Sequence, residues 1–127
     1  MRAIVTVLLL LAAAVNLLPA IGALSTSRLE GLYGVVVQDP NLAILLRHRA
    51  VLFAIVAGLL AVAAFHPPLR ALAIAAGLIS MLSFVAIAGL VGEYNPLLRR
   101  VVLVDVAASL ALVAAGLLDY LSVTTGR

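Results

Sequence analysis

The chain has no cysteine, no lysine and no tryptophan, and few charged residues of any kind. The absence of cysteine excludes disulfides, thiol redox chemistry and thiolate metal sites. The basic residues are eight arginines scattered along the chain, and only 10% of all residues are charged. Nucleic-acid binding would require a clustered basic face, so this distribution argues against it. Arginines placed at the ends of apolar segments are instead typical of membrane anchoring.

Hydrophobic residues make up 66% of the chain, and the mean hydropathy is +1.32. The apolar residues form four runs, which are Ala3 to Leu24, Ala50 to Phe65, Ala71 to Gly92 and Val101 to Leu118. A hydrocarbon core ~30 Å thick is crossed by roughly 20 helical residues. A soluble helix bundle would need polar outer faces, which these runs lack. The sequence therefore predicts an all-α integral membrane four-helix bundle, a single domain over residues 1–127, with one longer interfacial loop between helices one and two.

Two pairs of residues, Asp39-Pro40 and Asn95-Pro96, mark where helices begin. An Asp or Asn side chain caps the first turn, and proline suits the first helical position because an N–H is not needed there. With these starts, the four helices are expected at approximately residues 3–24, 40–65, 69–91 and 96–119. The first run also has the order of a cleavable secretory signal. Its candidate cleavage sites match poorly, so we favour a retained helix with Asn16 facing inward and Pro19 bending its end.

Asp105 is the only charged residue within the fourth run. It lies nine residues after the proline that starts its helix, and Arg49 occupies the same position on the second helix. Both side chains are then expected ~13 Å along their helices. A lone charge at depth costs ~2.5–3.5 kcal/mol on insertion scales, so we expect Asp105 to pair with Arg49 or Arg47 across a contact between helices two and four. Alternatively, the Asp105 side chain extends to the lipid headgroups together with Arg99 and Arg100. If Asp105 does pair with an arginine, the pair either only stabilises the bundle or is part of a functional site.

Loops one and three must emerge on the same side of a four-span bundle, which places most polar residues together. Ser25 or Thr26 is expected to cap a short helix that ends at Tyr33 within the first of these loops. The residues expected to form one polar mouth, beside the intramembrane pair, are Arg28, Glu30, Tyr33, Asp39, His48, Glu93, Tyr94, Asn95, Arg99 and Arg100. A basic and aromatic mouth of this kind suits a lipid headgroup or a small anionic ligand. The alternative interpretation is a solvated interface with anchoring Arg and Tyr side chains.

No metal, cofactor or catalytic site is expected. His48 and His66 lie 18 residues apart on one helix, about 27 Å along its axis, so they cannot ligate one centre in a monomer. The sequence has no Ser/His/Asp nucleophile motif, no phosphate-binding loop and no paired-Glu signature.

Several short segments occur together in this chain. They are Leu32-Tyr33-Gly34, Asp39-Pro40-Asn41-Leu42, Leu46 to Phe53, Ser80 to Ser83, Gly92-Glu93-Tyr94-Asn95, Arg99 to Val102, and Asp105. Over most of its length the chain thereby resembles a family of small bacterial four-span membrane proteins of unknown chemistry, and more loosely DoxX-like proteins. The resemblance implies a multi-pass protein of the bacterial cytoplasmic (inner) membrane.

Members of that family sometimes carry the name phosphopantetheine adenylyltransferase. Such an enzyme resembles a soluble dinucleotide-binding fold with a Thr or His three residues before a His. Neither His48 nor His66 has that neighbour, so we expect no adenylyltransferase activity.

Two classes of function stay open. The first, which we favour, is a non-enzymatic binding or accessory protein whose polar mouth takes a lipid, a small anionic ligand or a partner subunit. The second is a minimal transporter that works as a homo-oligomer, and a membrane enzyme ranks third. The expected surroundings are a lipid bilayer, with no nucleic acid.

The distribution of arginines hardly decides the orientation in the membrane. Loops one and three hold five arginines, and the remaining segments hold three arginines and the positively charged amino terminus. We favour termini outside, with dual topology open.

Overall fold

The computed structural model describes residues 1–126, and this part of the chain contains helices and no strands. The helices are α1 (Arg2–Ala20), α2 (Thr26–Tyr33), α3 (Pro40–Phe65), α4 (Arg70–Val91) and α5 (Pro96–Thr125), with short 3₁₀ turns at Ile21–Ala23 and Pro67–Leu69. Four of these segments are long and apolar enough to cross a membrane. The predicted all-α bundle is therefore confirmed.

Side-chain caps define where three of the helices begin. Ser25 accepts from the Arg28 N–H at the start of α2, and Asp39 accepts from the Asn41 N–H at the start of α3. Asn95 accepts from the Leu98 N–H at 2.8 Å at the start of α5. These bonds satisfy backbone donors that a first helical turn leaves unpaired. All three caps lie where the sequence places them.

The end of α1 differs from its expected position. Regular α-helix stops at Ala20, and the chain continues in the 3₁₀ turn Ile21–Ala23. Pro19 has no N–H to donate to the carbonyl four residues earlier, which weakens the helix there. Gly22 in the turn lets α2 approach closely, because a Cβ atom at this position would lie 2.3 Å from Leu29 Cδ2.

α5 continues to Thr125 rather than ending near residue 119. No proline or glycine lies between Asp119 and Gly126. The Thr124 and Thr125 hydroxyls also donate to carbonyls one turn back, at 3.0 Å and 2.7 Å for the Leu121 carbonyl. Polar side chains at this end are thus satisfied by the helix itself.

The four long helices form a ring. α1 packs against α3 and α5, and α4 packs against the same two helices, so the order around the ring is α1, α3, α4, α5. α3 and α5 consequently face each other diagonally. Each of the four long helices contributes at least one large, fully buried side chain to the core, including Leu9, Leu60, Met81 and Leu112.

The outer surface of the ring is apolar. Only 17% to 33% of the most apolar stretch of each long helix is buried by the rest of the protein. Ile79 is 70% exposed and Leu90 is 87% exposed, for example. Apolar surface on this scale is unfavourable in water and suits lipid tails. The structure therefore supports a multi-pass membrane protein.

The ring has two chemically different ends. α2 and the connections at residues 34–39 and 92–95 lie at one end, called here the α2 end. The amino terminus, the Pro67–Leu69 turn and the last turns of α5 lie at the opposite end. Asn95 joins two elements of the α2 end, because its side-chain nitrogen donates to the Tyr33 carbonyl at 2.8 Å while its oxygen caps α5.

We expect Asn95→Ala to lower the free energy of unfolding by about 1–2 kcal/mol, because it removes both a helix cap and the link to α2. Thermal unfolding of the purified protein in detergent measures this change. Asn41→Ala is the matched control, since Asn41 is exposed and its side chain bonds only the neighbouring Asp39. Equal stability of the two variants would contradict the bridging role of Asn95.

Candidate functional site

A lateral cleft of about 410 Å³ lies between α3 and α4. Its lining residues are Arg49, Leu52, Phe53 and Val56 of α3 and Ser80, Ser83, Phe84 and Ile87 of α4. Each set has the spacing i, i+3, i+4, i+7, which places its members on one face of a helix. Leu52, Ser83 and Ile87 are exposed, so the cleft opens sideways toward the surface that faces lipid. Its volume falls within the range of small-molecule sites.

Arg49 is the only charged residue that lines this cleft. Its guanidinium carbon lies 5.5 Å from the ring centroid of Tyr33, 4.9 Å from that of Phe53 and 4.7 Å from that of Phe84. Aromatic faces at such distances stabilise a cation, and more so where water is scarce. The rings come from α2, α3 and α4, so three elements hold this one charge.

The hydrogen-bonding edge of Arg49 is unused. A guanidinium carries five N–H donors, and none of those of Arg49 has an acceptor among residues 1–126. Arg47, two residues earlier, instead donates to the Ala23 carbonyl at 2.9 Å and ties α3 to the end of α1. Arg49 thus presents donors inside an apolar cleft.

The structure does not bring Asp105 within 4.0 Å of Arg47 or Arg49. α3 and α5 are diagonal in the ring, so equal depth along two helices does not make these side chains neighbours. Within residues 1–126 the single ion pair joins Arg70 to Asp119, at 2.6 Å. The two residues expected to pair therefore stand apart; Asp105 is buried and Arg49 is partly buried.

Tyr33 is close enough to both separated charges, Arg49 and Asp105, to interact with them electrostatically. It is 4% exposed, and burial raises the pKa of its phenol above 10.0, while nearby Arg49 acts to lower it and Asp105 to raise it. A raised pKa favours the protonated phenol in the folded state, so any stability it confers is present below about pH 10 and lost at higher pH. Tyr33 is therefore neutral at physiological pH.

Asp105 faces a second, smaller cavity of about 140 Å³. Val15, Leu18 and Pro19 of α1, Leu32 of α2, and Arg100, Val101 and Val104 of α5 form the rest of its lining. Asp105 is 7% exposed and has no hydrogen-bond partner among residues 1–126. Two other buried polar atoms, Asn16 Oδ1 and Ser109 Oγ, also lack partners in this part of the chain. Asp105 and Asn16 were expected from the sequence to face inward, whereas Ser109 was not.

The other residues expected at the mouth do not share one pocket. Tyr94 and Arg99 line a surface groove with Gly92 and Pro96, whereas Arg28 lines a different one beside Leu18. Glu30 accepts from the Val37 N–H at 2.8 Å, which folds the loop before α3 back onto α2. His48, Glu93 and Arg100 are exposed, and Asp39 and Asn95 serve as caps. The mouth is thus a set of shallow surfaces around the more buried Arg49 and Asp105.

Arg70 and Asp119 form a polar group that was not predicted from the sequence. Arg70 is 5% exposed; besides its ion pair, it donates to the Ala63 and Ala64 carbonyls at 3.4 Å and 3.2 Å. These carbonyls lie in the last turn of α3, which His66 and two prolines end. The Ala63 carbonyl also accepts from the His66 N–H at 3.3 Å, and the Ala64 carbonyl from the Thr6 hydroxyl at 3.0 Å. The sequence does contain an indication of this ion pair, because Arg70 follows the helix break at Pro67-Pro68 and Asp119 lies near the end of the next helix. The group stabilises the opposite end of the ring.

No family model, curated protein or solved structure matches this chain. Within residues 1–126, no three His, Asp or Glu side chains are grouped so that they could hold a metal ion. The α3–α4 cleft and the buried polar groups are therefore the candidate functional features of this chain.

Proposed function

We propose that this protein is a non-enzymatic, multi-pass membrane protein that binds a lipid-soluble ligand in the α3–α4 cleft. The ligand enters sideways from the bilayer and carries a head with an acceptor oxygen, such as a phosphate, a carboxylate or a quinone carbonyl. The observation that carries the proposal is Arg49, whose faces are covered by three rings while its N–H donors lack acceptors.

The chemistry of the cleft supports such a ligand. Leu52, Phe53, Val56, Phe84 and Ile87 provide apolar walls, and the hydroxyls of Ser80 and Ser83 lie on the α4 side. Ser83 already donates to the Ser80 carbonyl at 3.0 Å, which leaves the hydroxyl oxygen as an acceptor. A hydrogen bond from a charged donor to an oxygen is stronger than one between two neutral groups, and an apolar cleft keeps water from competing for it. Arg49 would therefore fix the head, and the apolar walls would take the tail.

Native mass spectrometry of protein released from membranes tests the assignment. We expect a bound ligand on the wild type, with occupancy lowered at least about tenfold in Arg49→Gln, since hydrogen bonds to charged groups contribute ~1.5–3 kcal/mol. Arg49→Lys should bind at an intermediate level, because lysine keeps the charge but loses the planar donors. Arg28→Gln is the control, since it removes a charge at the α2 end outside the cleft. Equal ligand occupancy in all four proteins would overturn the proposal.

The absence of tryptophan allows a second measurement. In Ile87→Trp the sole indole lines the cleft, whereas in Ile79→Trp it lies on the exposed outer surface of the same helix. A short-chain quinone or a brominated fatty acid should quench the first fluorophore saturably and the second only in proportion to its concentration in the detergent phase. Identical quenching curves would speak against a discrete site.

A transporter that works as a homo-oligomer is the second candidate function. It is supported by Asp105, a buried carboxylate without an ion-pair partner among residues 1–126, since intramembrane acids often mark ion pathways. Counter-ion-dependent uptake into proteoliposomes that is lost in Asp105→Asn would favour transport over simple binding.

We place the protein in the bacterial cytoplasmic membrane with both termini outside. The resemblance to small bacterial four-span proteins and the arginine distribution support this placement. Reporter fusions at the carboxyl terminus test the orientation.

A further inference from the structure

We propose that the ligand of the α3–α4 cleft is a glycerophospholipid whose head carries both a phosphate and an ammonium group. The proposal rests on the function proposed above, and it selects one class among the ligands that have an acceptor oxygen. It is carried by three neighbouring cavities, which lead from the cleft to an arginine and a glutamate at the α2 end.

Two further cavities adjoin the cleft along α4. The first, called here the middle cavity, has a volume of about 190 Å³ and shares Phe84 and Ile87 with the cleft. The second, the outer groove, has a volume of about 290 Å³ and shares Tyr94 with the middle cavity. The cleft and these two cavities therefore follow one another from Arg49 to Arg99.

The two arginines of this series lie at different depths. Counted from the proline that begins each helix, Arg99 is three residues along α5 and Arg49 is nine residues along α3. At 1.5 Å per residue, their backbones differ in depth by about 9 Å, with Arg99 nearer to the α2 end. A glycerophospholipid has the same order, because its phosphate lies outermost and its ester carbonyls lie below the phosphate. A fatty acid has its polar oxygens at one depth and would leave one arginine unused.

The outer two cavities carry one charge of each sign. Glu93 lines the middle cavity and Arg99 lines the outer groove, and each shares its cavity with Tyr94. Both charged side chains are exposed, and neither makes an ion pair among residues 1–126. A phosphate is complementary to Arg99 and an ammonium group to Glu93, so a zwitterionic head can bind both side chains. A purely anionic head would be repelled by the Glu93 carboxylate.

The α3–α4 cleft then takes one acyl chain of the lipid. Its walls are apolar except for Arg49 and two serines, and its volume of about 410 Å³ suits one chain rather than two. Leu52 and Ile87 are 48% and 60% exposed, so the cleft is open toward lipid along its side. The second chain can therefore remain in the bilayer while Arg49 donates to an ester carbonyl.

Competition between lipids with identical acyl chains tests the head group. The purified protein in detergent is mixed with equal amounts of phosphatidylethanolamine and phosphatidylglycerol, and native mass spectrometry counts the bound molecules. We expect the wild type to prefer phosphatidylethanolamine by at least about threefold, the scale of an exposed ion pair. Glu93→Gln should lose this preference, because glutamine neither attracts the ammonium group nor repels the anionic head. Equal binding of the two lipids by the wild type would overturn the proposal.

Arg99→Gln tests the phosphate contact, and Arg100→Gln is its matched control. The two arginines are adjacent and exposed, but Arg100 lines the cavity beside Asp105. The Arg99 side chain donates no hydrogen bond among residues 1–126, so its replacement removes no contact that stabilises the fold. We expect phosphatidylethanolamine to bind about threefold more weakly to Arg99→Gln than to Arg100→Gln. Equal affinity of these two variants would contradict the assignment.

A fatty acid and a short-chain quinone, tested in the same way, separate this proposal from the more general one. If either binds more tightly than phosphatidylethanolamine and depends on Arg49 but not on Arg99, the phospholipid assignment fails and the function proposed for the cleft stands. If binding of every ligand is unchanged in Arg49→Gln, both proposals fail.

Discussion

Replacing Arg70 with methionine lowers the free energy of unfolding by about 2–3 kcal/mol. The Arg70 side chain is buried and donates to the Asp119 carboxylate and to the Ala63 and Ala64 carbonyls. Methionine fills a similar volume but leaves Asp119 without a cation. Breaking a buried pair from one side costs about 3–5 kcal/mol, and we expect less because the Asp119 side chain is 24% exposed. Thermal or detergent-induced unfolding measures the loss.

A double-mutant cycle separates the ion pair from the carbonyl contacts. Asp119→Asn keeps an acceptor for Arg70 and should cost less than Arg70→Met. The two changes together should cost less than the sum of their separate effects, since both remove the same interaction. Arg2→Met serves as control, because Arg2 is an exposed arginine at the same end of the ring. Strict additivity, or a stability of Arg70→Met within about 0.5 kcal/mol of the wild type, would contradict a stabilising role.

Local chemistry made much of the fold predictable. Asp39-Pro40 and Asn95-Pro96 define α3 and α5 from their own first turns, and the structure has both caps. The unexpected helix ends also have local causes, but weaker ones: a proline near the end of α1, and Thr side chains that bond within α5. Such competing preferences differ by little free energy, so composition alone does not locate the ends.

The candidate site was less predictable, because it depends on how the helices are arranged around the ring. Counting residues from each starting proline gives Arg49 and Asp105 the same depth. Depth says nothing about which helices are adjacent, and the structure sets α3 and α5 diagonally. Arg49 consequently meets the rings of Tyr33, Phe53 and Phe84 instead of a carboxylate. Phe84 is one of three phenylalanines in the chain, and nothing near it in sequence links it to Arg49.

The same arrangement explains why both charges can reside within the bundle. Arg49 is stabilised by aromatic faces, whereas Asp105 lies at a small cavity between α1, α2 and α5, without an ion-pair partner among residues 1–126. A direct pair would satisfy both residues and leave nothing for a ligand. Holding them apart leaves the N–H donors of Arg49 available to an acceptor oxygen. The lipid-soluble ligand proposed above follows from that separation.

Gly77→Leu should destabilise the protein by about 3 kcal/mol, because Gly77 of α4 packs against Leu60 of α3 and Leu112 of α5 in the core. A Cβ atom at this position would lie 2.7 Å from Leu112 Cδ1 and 3.5 Å from Leu60 Cδ1. Both leucines are fully buried, so neither can yield to a larger side chain without moving its helix. Overpacking of this kind costs about 1–3 kcal/mol, and occasionally more.

Gly58→Leu is the matched control, since Gly58 is exposed within α3 and a Cβ atom there would meet nothing within 4 Å. The two variants share the same change in helix propensity, so the difference between their melting temperatures in detergent isolates packing. Gly77→Ala should have a smaller effect, because only the flexible end of Leu112 must shift. Equal stability of the two leucine variants would mean that α4 does not pack closely against α5. The order of helices around the ring, which separates Arg49 from Asp105, would then also be wrong.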